Sequence, residues 1–272
     1  MQIGIFAKTF PGTEPLGVLS AVRDSGYACA QFNLACCGLP SMPNALSEET
    51  IAAIRAAVEA TGISLAALSG TYNMAHPDIA IRRTGLTQLT TVIETASALS
   101  IPLVTLCTGT RDPHDQWAYH PDNGDPSAWA DMTAEISKAL ELAEGHSVDL
   151  GIEPEQANIV TSARDARRLI DEMGSARLRI VLDPANLFEQ ATPAQARAIV
   201  AEAVEISAGH IVLTHAKDRH GDGRFATVGQ GVVDFADFIA RLRSVNFDGP
   251  LVTHGLSASE APGVAGFLKA LI

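Results

Sequence analysis

The stretch Val148–Leu187 reads VDLGIEPEQANIVTSARDARRLIDEMGSARLRIVLDPANL. A short β-rich run, Leu150–Glu153, ends in a carboxylate. A helical segment follows, TSARDARRLIDEMG, with a polar start, an apolar stripe and a glycine stop at Gly174. A second β-rich run, Arg179–Asp183, again ends in a carboxylate. Strand, helix and strand in immediate succession form the βαβ unit of a parallel sheet, and an acid at the end of each strand asks what those acids face.

The unit recurs along the chain. Further β-rich runs lie at Ile3–Ala7, Ala28–Asn33, Leu65–Ser69, Leu103–Cys107, Ile211–His215 and Leu251–His254. Most are continuously apolar rather than alternating, as expected of strands covered on both faces. Between them, SEETIAAIRAAVEATG begins on Ser47 as an N-cap, repeats Ile51, Ile54 and Val58 at helical spacing, and stops at Gly62. DPSAWADMTAEISKALELAEG has Pro126 in its first turn and is expected to end at Gly145. TPAQARAIVAEAVEISAG, VDFADFIARLRS and SEAPGVAGFLKALI repeat the design. Eight strands in alternation with helices predict a closed (β/α)8 TIM barrel, with residues 1–272 as one domain. An open doubly wound sheet is the competitor; it calls for a glycine fingerprint after the first strand, which FAKTFPGTEP lacks.

Composition fits a large aliphatic core: 47% of residues are hydrophobic and only 5% aromatic, over 272 residues. The net charge of −12 argues against a nucleic-acid partner, because an acidic surface gains nothing from counterion release. Cys29, Cys36, Cys37 and Cys107 form no CxxC pair and suit neither a disulfide framework nor a structural zinc site, so they read as reduced thiols. The start, MQIGIFAKTF, has no basic region followed by a long apolar one, and no apolar run reaches the roughly 18 residues of a membrane helix. A cytoplasmic location and no membrane partner are the resulting expectations.

Barrel chemistry sits where the strands end. Reading those ends in order gives Lys8; Asn33; Tyr72, Asn73 and His76; Thr108 and Arg111; Glu153 and Glu155; Asp183 and Asn186; His215, Lys217 and Asp218; and His254. Glu153, Asp183, His215 and His254 close four successive strands, so a barrel brings them within reach of one ion. Two carboxylates and two imidazoles suit Mn2+, Zn2+, Co2+ or Fe2+ and suit Ca2+ poorly. Without a cation the two carboxylates would repel one another. Lys8, His76, Arg111, Glu155, Asn186, Lys217 and Arg224 are the candidate substrate contacts. Arg111 alternatively reads as an exposed loop arginine, His76 as a loop histidine, and Lys217–Asp218 as an ion pair that orients His215. The long loop Gly109–Asp125 is a further candidate for substrate contact, with Trp117 as a sugar-stacking ring or a packing residue. HGDGRFATVGQGVVDF lacks the Lys–Ser/Thr ending of a phosphate loop and reads as a turn-rich lead into Asp234 as an N-cap.

GIEPE, VLDPANL, THAKD, VGQGVVDF and GPLVTHGL, in this order, resemble the xylose isomerase-like TIM-barrel superfamily, and within it the sugar phosphate isomerase/epimerase group. GTYNMAHPD and LCTGTRDPHDQW extend the resemblance over essentially the whole chain. It implies one divalent metal held at the ends of strands five to eight. In the ketose epimerases those four positions are Glu, Asp, His and Glu, and the two glutamates move a proton off one face of the substrate carbon and back onto the other. Glu153, Asp183 and His215 match the first three; His254 stands where the second glutamate is expected. The resemblance therefore implies a metal-dependent isomerase or epimerase working on a small sugar, keto-sugar or sugar acid through an enediolate, with Glu153 and His254 as catalytic residues. The missing glutamate makes a lyase, a decarboxylase or dehydratase acting on a keto-sugar acid or inosose, the alternative. An apurinic endonuclease, which needs several zinc ions and a basic surface, and a non-catalytic sugar-binding barrel are weaker fits. Barrels of this kind often pair, so a homodimer is a further expectation.

Overall fold

Eight parallel strands close on themselves in the computed structural model, which describes residues 1–272. They are β1 Gln2–Phe6, β2 Cys29–Phe32, β3 Ser64–Ser69, β4 Leu103–Leu106, β5 Asp149–Ile152, β6 Leu178–Leu182, β7 Ile211–Ala216 and β8 Pro250–Thr253. Each pairs with its sequence neighbours, and β1 pairs with β8 from Gln2↔Pro250 to Ile5↔Thr253 to seal the barrel. All eight expected strands are present, so the open-sheet alternative is excluded.

Eight helices cover the outside: α1 Pro15–Asp24, α2 Glu48–Thr61, α3 Ile79–Ala98, α4 Pro126–His146, α5 Ala163–Met173, α6 Pro193–Ile206, α7 Phe235–Ser244 and α8 Ala261–Lys269. Their ends follow local chemistry. Ser47 accepts from the Thr50 N–H, and Gly62 closes α2 in the left-handed conformation, φ 70°. Thr192 and Gln195 form a reciprocal capping box on α6. Asp234 accepts from the Asp237 N–H and starts α7. One expected boundary moves: α4 runs through Gly145 to His146 and is capped by Ser147, φ 58°, two residues before β5.

Strand geometry then positions the site. Successive side chains alternate faces, so residues two apart share one. Ala67, Leu103, Val181, Leu213 and Val252 form a separate apolar cluster in the barrel interior, apart from the large cluster between strands and helices. Two residues further along the same face of each of these strands come Ser69, Thr105, Asp183, His215 and His254. The same count from Gly4, Cys29 and Gly151 gives Phe6, Gln31 and Glu153. Gly151 has no room for more: a Cβ there would lie 2.7 Å from Val181 Cγ2. The barrel is thus plugged by small and aliphatic groups below and carries its polar residues one pleat above. No helix is long and apolar enough to cross a membrane.

Candidate metal centre

Glu153, Asp183, His215 and His254 each offer one donor atom, and these atoms all lie within 4.8 Å of one another. This is the one group of three or more His, Cys, Asp or Glu in the protein whose donors converge. His215 Nδ1 is 3.2 Å from Glu153 Oε1 and 3.7 Å from Asp183 Oδ2; His254 Nε2 is 3.0 Å from Asp183 Oδ2. The two imidazoles meet edge to face, 4.5 Å between centroids. The side chains range from sealed to open: Asp183 is 0% exposed, His215 4%, Glu153 18% and His254 23%.

Neighbouring groups hold these four in place. Asp183 Oδ1 accepts the Ala185 N–H at 2.8 Å, which leaves Oδ2 for the cluster. Asn186 donates Nδ2–H to Glu153 Oε1 at 2.7 Å, while its Oδ1 accepts from Lys217 Nζ at 2.8 Å. Gln31 Oε1 lies 2.9 Å from His215 Nε2 across the barrel.

The electrostatics point to a strongly coupled set. Burial works to raise the Asp183 carboxyl, but its hydrogen bond with His254, Lys217 and the two imidazoles together hold it below the ordinary carboxylate range. Burial works to lower His215, but the Glu153 charge and hydrogen bond, with Asp183, outweigh it and raise the imidazole. His254 is lowered, first by burial and then by His215 beside it. Glu155 is pushed up to about 7, first by burial and then by the Glu153 charge. Two carboxylates and two imidazoles packed this closely form a donor set that fits a divalent transition metal.

Above the cluster opens a polar cavity of about 660 Å3. Glu153, His215 and His254 line it, together with Phe6, Gln31, Ser69 and Thr105. Of the expected substrate contacts, Lys8, Glu155, Asn186 and Lys217 line it as well. Three others fall elsewhere, which corrects the expectation drawn from their nearness to strand ends. Arg111 turns away to Asp131, at 2.8 Å, and to the Ala75 carbonyl. His76 is spent on backbone: its Nδ1 accepts the Asp78 N–H at 2.9 Å and its Nε2 faces the Pro113 carbonyl. The Arg224 side chain is 77% exposed and pairs with Asp222 in its own turn. All three sit on loops, whose paths are not set by the strand pleat.

Arg219, not anticipated, lines the cavity beside Phe225; its guanidinium lies 4.6 Å from that ring and the Lys217 ammonium 4.1 Å. The segment that carries them is a short hairpin, Asp218–Arg219 against Phe225–Ala226. Asp218 does not pair with Lys217, as one reading expected. Its buried carboxylate accepts four backbone N–H groups, from Arg219, Gly229, Gly231 and Val233, and so pins the whole loop. Gly231 is required there, since a Cβ would stand 2.2 Å from Asp218 Oδ1. Trp117, 46% exposed, borders this cavity and a second one of about 520 Å3 between the loops after β3 and β4, which no member of the cluster touches. The four cysteines are free thiols, and burial pushes Cys29 up to about 12 and Cys36 up to about 11.

Comparison with known proteins agrees with this architecture. The sequence profile of a family described as xylose isomerase-like TIM barrel matches residues 19–270. No curated protein sequence matches the chain. Among solved structures, 3-keto-D-glucoside 4-epimerase from E. coli superposes with a TM-score of 0.77 at 18% identity, over 99% of both chains. D-allulose 3-epimerase from Methylomonas sp. gives 0.77 at 15% identity, over 100% of this chain and 98% of that one. An L-ribulose 3-epimerase gives 0.78 at 18% identity, over 99% and 93%. At such identities the likeness is one of fold.

Proposed function

The chain belongs to the xylose isomerase-like TIM-barrel family, and on that premise we propose that it is a divalent-metal-dependent isomerase or epimerase acting on a small sugar, keto-sugar or sugar acid. The observation that carries this reading is the convergence of Glu153, Asp183, His215 and His254 at the floor of a polar cavity. These four would hold the cation. When bound, it supplies Lewis acidity to a substrate carbonyl and makes the adjacent C–H more acidic.

The chain's own residues do the rest. Glu153 Oε1 is engaged by Asn186 and His215, so Oε2 is the oxygen that takes the proton from the substrate carbon. His254 Nδ1 has no protein partner and is the nitrogen that returns one, to the same carbon in an epimerisation or to its neighbour in an isomerisation. Glu155 faces the same cavity and hydrogen-bonds a substrate hydroxyl, and Lys217, held by Asn186, donates a second hydrogen bond. The structural relatives support this substrate class through what they are named for: keto-glucosides, allulose and ribulose.

One observation favours a second reading. Asp183 is sealed, so Glu153 is the only carboxylate of the set that reaches the cavity, and an imidazole stands where a second base would act. One strong base and no matched partner suits a lyase: a dehydratase removes one proton and expels a hydroxyl as water, and a decarboxylase releases carbon dioxide and leaves an enediolate that gains a single proton. A single experiment addresses both. The Mn2+-loaded protein is incubated in D2O with ketoses, keto acids and inososes, and proton spectra are followed. Deuterium entry beside the carbonyl together with a new stereoisomer is the expected result, and loss of water or carbon dioxide selects the lyase. Neither exchange nor product from any of them, in protein carrying its metal, overturns the proposal.

A further inference from the structure

Gln31 is a buried amide one pleat above the aliphatic layer that plugs the barrel; it is only 7% exposed. A buried amide is costly unless its donors and acceptor are all used. Here they are. Nε2 lies 3.2 Å from Ser69 Oγ and 3.2 Å from Thr105 Oγ1, so each of its two protons has a hydroxyl oxygen to meet. Oε1 lies 2.9 Å from His215 Nε2. The opposite amide orientation would aim two protons at a single ring nitrogen and leave one without an acceptor.

An amide oxygen can only accept, so His215 Nε2 must carry its proton. In the neutral ring the lone pair is then on Nδ1, the atom 3.2 Å from Glu153 Oε1 and 3.7 Å from Asp183 Oδ2. Three electron-rich atoms face one another with no proton between them, an arrangement that a divalent cation resolves. We propose that Gln31 is a positioning residue: it fixes His215 as an Nδ1 ligand and thereby sets the affinity of the centre for its metal. Ser69 and Thr105 hold the amide in the orientation that does so. β2, β3 and β4, which supply no ligand, thus decide how β7 supplies one.

This inference rests on the metal-centre reading above, and the experiment separates the two. Zn2+ and Mn2+ affinities are measured by calorimetry against a competing chelator for the parent, Gln31→Leu and Gln31→Glu. Outer partners of ligating histidines contribute roughly 10–100-fold in metal affinity, and a loss of that order is expected for Gln31→Leu. Gln31→Glu still accepts from Nε2–H and is expected to keep affinity near the parent's, an outcome that a purely structural role for the amide does not produce. In parallel, 15N spectra of the Zn2+-loaded parent report the His215 tautomer directly, without any variant; Nε2 protonated and Nδ1 metal-bound is the expected signature. Nε2 ligation, or a Gln31→Leu protein that binds as tightly as the parent, overturns the inference. A parent that binds neither ion overturns the metal-centre reading itself. Should Gln31→Leu fail to fold, the tautomer measurement on the parent and the Gln31→Glu affinity decide.

Discussion

The two halves of the barrel mouth are built from the same position on the strand pleat and carry opposite chemistry. At the ends of β5 to β8 stand Glu153, Asp183, His215 and His254; at the matching places on β2 to β4 stand Gln31, Ser69 and Thr105. One half is all ionisable, the other all neutral dipoles. The division has a physical consequence. Charges in a poorly solvated site interact strongly, so with a neutral half opposite, the four donors interact chiefly with one another. Amides and hydroxyls orient the ligand set without adding to its charge.

The largest effect should come from breaking the charged half at its most buried member. Asp183→Asn keeps the size and the place near Ala185 N–H but removes a ligand charge. Metal affinity should fall by more than the roughly 10–100-fold that outer partners command, and turnover should fall with it, while circular dichroism stays that of the parent. Metal content after dialysis and product formation from an active substrate check this; a variant that keeps both would detach Asp183 from the centre.

The two histidines sharpen the comparison, because only one of them is held by the neutral half. His215 is anchored by Gln31, whereas His254 has no partner on its far nitrogen and is the more exposed. His215→Ala should therefore cost more metal affinity than His254→Ala, and His254→Ala should lose relatively more in kcat. Titrations and kinetics on both variants test the split; equal losses on both axes would mean that the anchor makes no difference. Smaller again is the effect of thinning the neutral half. Ser69→Ala or Thr105→Val removes one acceptor of the Gln31 amide, a bond worth about 1 kcal/mol net, and should weaken metal binding up to about fivefold. The double variant should approach Gln31→Leu, since it leaves the amide free to turn away from His215.

The charged half was legible in the sequence and the neutral half was not. An ionisable residue closing an apolar run stands out, and four in succession select both the fold and the site. Gln31, Ser69 and Thr105 lie within or at the edge of strands and look like ordinary polar interruptions. The signal that finds them is the period of two: each lies two places beyond Cys29, Ala67 and Leu103, the residues that plug the barrel. Reading the last strand residue alone picked out Asn33 and Thr108 on these strands instead. The loop residues Arg111, His76 and Arg224 were misplaced because proximity to a strand end in sequence says nothing of direction once the chain has left the pleat. Of the helices, α3 was the hardest to see. It carries five threonines, which lower helix propensity, yet in the fold Thr84, Thr87, Thr90 and Thr95 return hydroxyl bonds to carbonyls four residues back and the helix persists for 20 residues.

The smallest expected effect concerns Glu155, the acid that faces the cavity from the charged half without belonging to the donor set. In metal-free protein its carboxyl is pushed up to about 7 by burial and by Glu153, from an ordinary value of 4.5. The folded chain then holds this proton more tightly than the unfolded chain does. Its contribution to stability is therefore complete below about pH 4.5 and is lost as the pH rises through about 7. Asp183, held below the ordinary range, acts in the opposite sense but only at lower pH, and His215, raised above 6.5, adds its own slope only above that value. His254 and His210, both lowered from 6.5, act in the opposite sense just below that value, so what a change at Glu155 alone removes between about pH 4.5 and 6.5 is the Glu155 slope. Glu155→Gln resembles the protonated form at every pH, so its melting temperature in chelator should change less than the parent's across this window, and the gap between the curves should widen as the pH rises. Parallel curves would place Glu155 in solvent contact, outside the field of Glu153, and would confine the coupled charges of the mouth to the four donors themselves.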